Sequence, residues 1–276
     1  MPRPNMRGYL AIFAARFRSH LQYRAAALGG LFTQCFFAVV RIMILDAFYR
    51  STTAPQPMAF HDVVGYVWMG QATLLLVPWN VDTDVRDQMR SGAVAYELCR
   101  PLDLYTAWYV RALALRTAPM FLRMLPMFVI AMLILPLAGA RGFELAPPPS
   151  VAAAVAWALA FAGAALVSAA LTVLMNVSLF WSISADGIPV LLTVGVTVLG
   201  GLVIPLPLFP DWAQAILLNL PFAAVLDFPS RLYTGHIGLD GAPLVFARQL
   251  GWTLALVALG RWLAGRGARR LVVQGG

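Results

Sequence analysis

The chain has 276 residues, 61% of them hydrophobic and 12% charged, with a mean hydropathy of +0.76; a soluble domain of this size carries about twice that share of charge, so most of this chain is not solvated by water. The formal net charge is +8 and all 20 basic residues are Arg, which excludes a P-loop, a Schiff-base lysine or a Ser-Lys pair. The Arg flank apolar stretches and lack the basic face interleaved with aromatics that nucleic acid requires, so they read as determinants of membrane orientation.

In chain order, residues 1–24 predict an interfacial helix. Met6, Tyr9, Leu10, Phe13, Phe17 and Leu21 share one face of a helical wheel, with Arg7, Arg16 and Arg18 outside it. A cap packed on the bundle is the alternative. The segment lacks the unbroken apolar core and small-residue cleavage site of a signal peptide. Six apolar windows of about 20 residues then predict membrane-spanning helices at 25–48, 62–80, 112–137, 151–176, 188–204 and 243–263. Segments expected on one side hold twelve Arg and those on the other three, which places both termini and the 82–111 loop in the cytoplasm. The expected fold is therefore an all-α integral membrane protein forming one transmembrane domain over 1–276.

Cys35 in the first span and Cys99 in a loop show neither disulfide nor metal-ligand spacing. Arg41 and Asp46 stand five apart, outside the best helical pairing distance, and are expected to snorkel toward the outer interface. The 82–111 loop concentrates charge between two apolar spans. Asp82, Asp84 and Asp87 begin a helix through Met89, Ser91 and Gly92 end it, and a second helix runs from Ala93 to Cys99 before Arg100-Pro101. Asn176, Ser178, Ser182, Ser184 and Asp186 collect at the inner end of the fourth span, lining a vestibule or capping helix ends. Trp68, Met69, Trp79 and Trp181 serve as interfacial anchors or line a path for an amphiphile. Between the fifth and sixth spans, Pro205, Pro207, Pro210, Pro221 and Pro229 break an apolar stretch, so 205–235 predicts two short helices dipping back into the outer leaflet, as a gate or a cap.

Two stretches carry a resemblance. "RSGAVAYELCRPLDLY" resembles the cytoplasmic loop of ABC-2-type ABC transporter permeases, which reads Ile-Arg-x-Gly, a short helix, then Leu-x-Arg-Pro; Met89 stands here where the family has an aliphatic. "LFPDWAQAILLNLPFAAVLDFPSRLYTG" is similar to the outer element between the last two spans of that family, and the viologen-exporter and daunorubicin-export types look nearest. The resemblance implies a coupling helix within 82–111 that docks on an ATP-binding subunit. Arg86, Arg90, Glu97, Arg100 and Asp103 would contact it, with Gly92 and Pro101 shaping the turn. It also implies that the outer segment shapes the exit, with Pro210, Trp212, Pro221 and Phe222 as a candidate gate. Asn176, Ser178, Trp181 and Met69 are the candidate path.

The expected protein is thus a permease subunit in a bacterial inner membrane. It would pair with an identical or homologous permease and two ATPase chains, contact lipid but not nucleic acid, and export an amphiphilic or hydrophobic molecule, cationic ones and lipids included. It would hold no metal, cofactor or catalytic residue; ATP and Mg would sit on the partner. The competing classes are an ion-coupled secondary transporter and an integral-membrane enzyme. Against the enzyme, His20, His61 and His236 lie at interfaces and no HExxH or GxSxG motif occurs; against the carrier, no internal repeat is visible.

Overall fold

Prolines and glycines decide where the apolar segments stop being helices. The computed structural model describes residues 6–182 and 187–269, and all regular structure among them is helical. In chain order the helices are α1 (Met6–Leu21), α2 (Arg24–Ser51), α3 (Phe60–Ala72), α4 (Thr83–Ser91), α5 (Val94–Leu98), α6 (Leu104–Val129), α7 (Leu135–Leu137), α8 (Val151–Ser178), α9 (Gly187–Leu199), α10 (Asp211–Leu217), α11 (Asp227–Thr234) and α12 (Ala242–Ala268). A π-helical segment, Ile130–Ile134, joins α6 to α7 just before Pro136, whose missing amide cannot bond back into it, and the Ala131 carbonyl accepts instead from the Leu145 amide at 3.0 Å.

Four helices are long and apolar enough to cross a membrane: Arg24–Ser51, Leu104–Leu137, Val151–Ser178 and Ala242–Ala268. The other two windows, 62–80 and 188–204, form the 13-residue helices α3 and α9. In the first, Pro78 holds Val77 extended, so the helix tightens into a 3-10 turn at Leu74–Leu76 and stops. In the second, Gly200 and Gly201 end the helix, and Gly201 adopts a positive φ of 90° that L side chains rarely reach.

α8 is the centre of the packing. Its Ala-rich surface lets α6, α11 and α12 approach closely, and 67% of its apolar window is buried, against 22% for α2. α3 is apolar on every side and correspondingly enclosed, with Val63 to Ala72 all buried against α2 and α11. α2 turns Phe32, Phe36, Met43, Ile44 and Phe48 outward, as a helix does whose surroundings are apolar. α1 packs along α6 while Met6 and Leu10 stay exposed.

The segment from Thr73 to Asp82 leaves the helical ladder inside this packing, so other side chains bond its backbone. Ser168 donates to the Leu76 carbonyl, Thr193 to that of Pro78 at 2.8 Å, and Arg116 to those of Val77 at 3.2 Å and Asn80 at 2.9 Å. The Arg116 Nε donates to Thr172 at 3.0 Å, and the Asn176 Oδ1 accepts from the Asp82 amide at 2.9 Å. Arg116→Met, similar in reach but without donors, strands these carbonyls and is expected to lower stability by about 2 kcal/mol, read as a lower midpoint of thermal unfolding in detergent.

Candidate functional site

Where the chain emerges from that clasped turn, it builds a polar helix pair. Asp82 is the N-cap of α4, its carboxylate accepting from the Asp84 amide at 3.0 Å. Gly92, with φ 72°, closes α4 in the left-handed conformation and lets α5 begin two residues later. Asp103 caps α6, accepting from the Thr106 amide at 2.8 Å and its hydroxyl at 2.6 Å.

The pair is mounted on Arg111, a residue of α6 that is 6% exposed. Its guanidinium lies 3.0 Å from the Glu97 carboxylate of α5, 3.7 Å from that of Asp82 and 3.6 Å from that of Asp84. Glu97 also accepts from Gln88 at 3.1 Å and from the Trp108 indole at 3.2 Å. Arg16 of α1 pairs with Asp84, so the N-terminal helix joins the same cluster. Burial, and then the Arg16 cation, pull neighbouring His20 below its usual range. A cavity of about 470 Å³ lies beside the cluster, lined by Ile12, Arg16, Gln88, Glu97, Arg100 and Arg111 among others.

The structure separates the sequence-derived residues of this loop into two groups. Arg90, Gly92, Arg100 and Pro101 are exposed, next to Tyr96, which is 77% exposed, and Leu98. Glu97 points inward to Arg111, and Arg86 is half-buried. Asp103 stands at the surface, but it is engaged as a cap and lies 3.8 Å from Arg261 of α12.

The candidate path residues are not brought together. Met69 lies in the main core, Asn176 holds the start of α4, and Ser178 donates to the Met175 carbonyl at 2.7 Å. Trp181 borders a different cavity; Ser184 and Asp186 lie outside the described residues. Of the candidate gate, Pro210 and Trp212 are exposed on α10 and its entry, Pro221 is buried, and Phe222 packs on Gly195 of α9. Asp46 pairs with Arg50 at 2.8 Å and not with Arg41, which donates to the Leu202 carbonyl after α9.

Several structurally engaged polar residues were not singled out from the sequence. Arg116 lies within a predicted span, and a charge at that depth is itself a signal. Tyr66 and Asp227 gave none, because their 2.9 Å hydrogen bond closes a separation of 161 residues. Among the described residues no three His, Cys, Asp or Glu side chains converge as a metal site. The chain matches no family model, no curated protein and no solved structure.

The Arg111–Glu97 pair is testable by a double-mutant cycle. Arg111→Met and Glu97→Met are each expected to cost about 2 kcal/mol, because each removes a charge-assisted hydrogen bond from a buried cluster in which Asp82 and Asp84 still face Arg111 and Gln88 and the Trp108 indole still donate to Glu97, and the double variant less than their sum. Strictly additive losses in detergent unfolding would mean that the two side chains act separately.

Proposed function

We propose that this chain is the membrane-spanning subunit of an ATP-driven exporter whose ATPase is a separate polypeptide, and that α4 and α5 form the surface that receives that ATPase. The supporting observation is how the pair is mounted: Arg90, Tyr96, Leu98 and Arg100 face outward, while Glu97 anchors the element to Arg111 in the wall of a long helix. A loop that only fixed membrane orientation would need its Arg, not a buried anchor to α6. Such a mount makes the exposed tip a handle on α6.

The absence of Lys supports placing the ATPase elsewhere, since phosphate cradling by a P-loop requires one. In this reading α3 and α9, with the irregular backbone that follows each, complete six crossings of a bacterial inner membrane. Both termini and α4–α5 are cytoplasmic, as the Arg distribution favours, and α10 and α11 lie toward the outer face. The permease works beside a second permease chain and two ATPase subunits that hold ATP and Mg. Cargo is an amphiphilic or hydrophobic molecule, for which the supply of Met and aromatic side chains is suited.

Purification of the tagged chain in mild detergent is expected to recover a P-loop ATPase, and Tyr96→Ala with Arg100→Ala is expected to abolish that recovery while leaving the permease folded. Isolation of the chain alone in several detergents would remove the proposal. For orientation, a membrane-impermeant maleimide is expected to label the exposed Cys99 in inside-out vesicles and not in right-side-out ones. The opposite pattern would invert the topology.

A further inference from the structure

The outward side of α12 changes character along its length. Leu244, Leu250, Leu254 and Leu259 are exposed, then Trp262, then Arg266 and Arg269. At about 1.5 Å per residue, Leu244 and Trp262 are roughly 27 Å apart along the axis, close to the roughly 30 Å of a hydrocarbon layer. Trp262 therefore falls at the depth where indoles collect, and the two guanidiniums fall at headgroup level.

At that level Trp181, just beyond the end of α8, joins Trp262, Leu263, Arg266 and Arg269 around a cavity of about 450 Å³. The Arg266 guanidinium rests 4.1 Å over the Trp262 ring, which holds the cation in place. Among the described residues, neither Arg266 nor Arg269 has a carboxylate within ion-pairing distance. Among the described residues the cavity thus offers two cations without a paired carboxylate, two indoles and an aliphatic side chain.

We propose that this cavity binds the phosphate headgroup of an anionic phospholipid, with Arg266 and Arg269 on the phosphate and Trp181, Trp262 and Leu263 against the glycerol and upper acyl carbons. A choline headgroup would place its own cation beside the two guanidiniums and is disfavoured; a free phosphate would leave the apolar wall unused. The inference rests on α12 crossing the bilayer and is independent of the transport reading.

The test is native mass spectrometry of the purified chain released from vesicles of equal parts phosphatidylglycerol and phosphatidylcholine. Wild type is expected to retain phosphatidylglycerol selectively, Arg266→Ala with Arg269→Ala to hold it roughly thirtyfold less tightly, and Trp262→Leu to weaken it by a smaller factor. Arg141→Ala, at the opposite end of α6–α7, is expected to change nothing. Equal retention of both lipids, or unchanged retention in the double Arg variant, overturns the proposal. So does loss of the bound lipid on adding millimolar inorganic phosphate, which would make the cavity a free-anion site.

Discussion

Backbone that is not helical cannot face hydrocarbon, and the Thr73–Asp82 segment is the place where this chain meets that constraint most directly. Pro78 makes a continued helix impossible, and the neighbouring carbonyls then need donors from elsewhere. Ser168 and Arg116 supply them from α8 and α6, and Thr193 from α9, while Asn176 of α8 takes the Asp82 amide. Each bond also fixes a helix against its neighbour. The turn is therefore the joint about which α3, α6, α8 and α9 are positioned, and Arg116 serves it by donating to neutral acceptors, with no ion pair among the described residues.

α4 grows directly out of this joint. Asp82 contributes its amide to Asn176 and its carboxylate to the Arg111 cluster, so the clasped turn and the polar helix pair share a residue. Arg111 and Arg116 lie little more than one turn apart on α6, one collecting carboxylates and the other carbonyls. Both cations are buried, and each is matched by several acceptors, three carboxylates for Arg111 and two backbone carbonyls with the Thr172 hydroxyl for Arg116. Through Arg111 and Trp108, side-chain bonds tie α4 and α5 to α6, and Arg16 extends that cluster to α1.

A second polar joint sits at the far side of α3. The Tyr66 hydroxyl donates to Asp227 of α11 at 2.9 Å, Arg231 lies 3.4 Å from the same carboxylate, and a Cβ at Gly201 would stand 2.1 Å from the Tyr66 oxygen. Gly201 is thus required twice, for its positive φ and for this close approach. The contact gathers α3, the turn after α9, and α11 around one phenol. α10, by contrast, leaves Trp212 and Ile216 exposed.

The sequence by itself determined the helical class, the places of four of its six predicted membrane-length helices, the two-helix form of the 82–111 loop and the short helices of the 205–235 segment, because hydropathy, caps and prolines act on near neighbours. In the other two windows, 62–80 and 188–204, apolar composition overstates the length of continuous helix, because Pro78 and Gly200-Gly201 stop α3 and α9 after 13 residues each. The Arg111 cluster, the Arg116 clasp, the Tyr66–Asp227 contact and the separation of Met69 from Asn176 were decided only by the tertiary structure. Their partners are distant in sequence, and a buried charge acquires a role only when packing brings its acceptors within hydrogen-bonding reach.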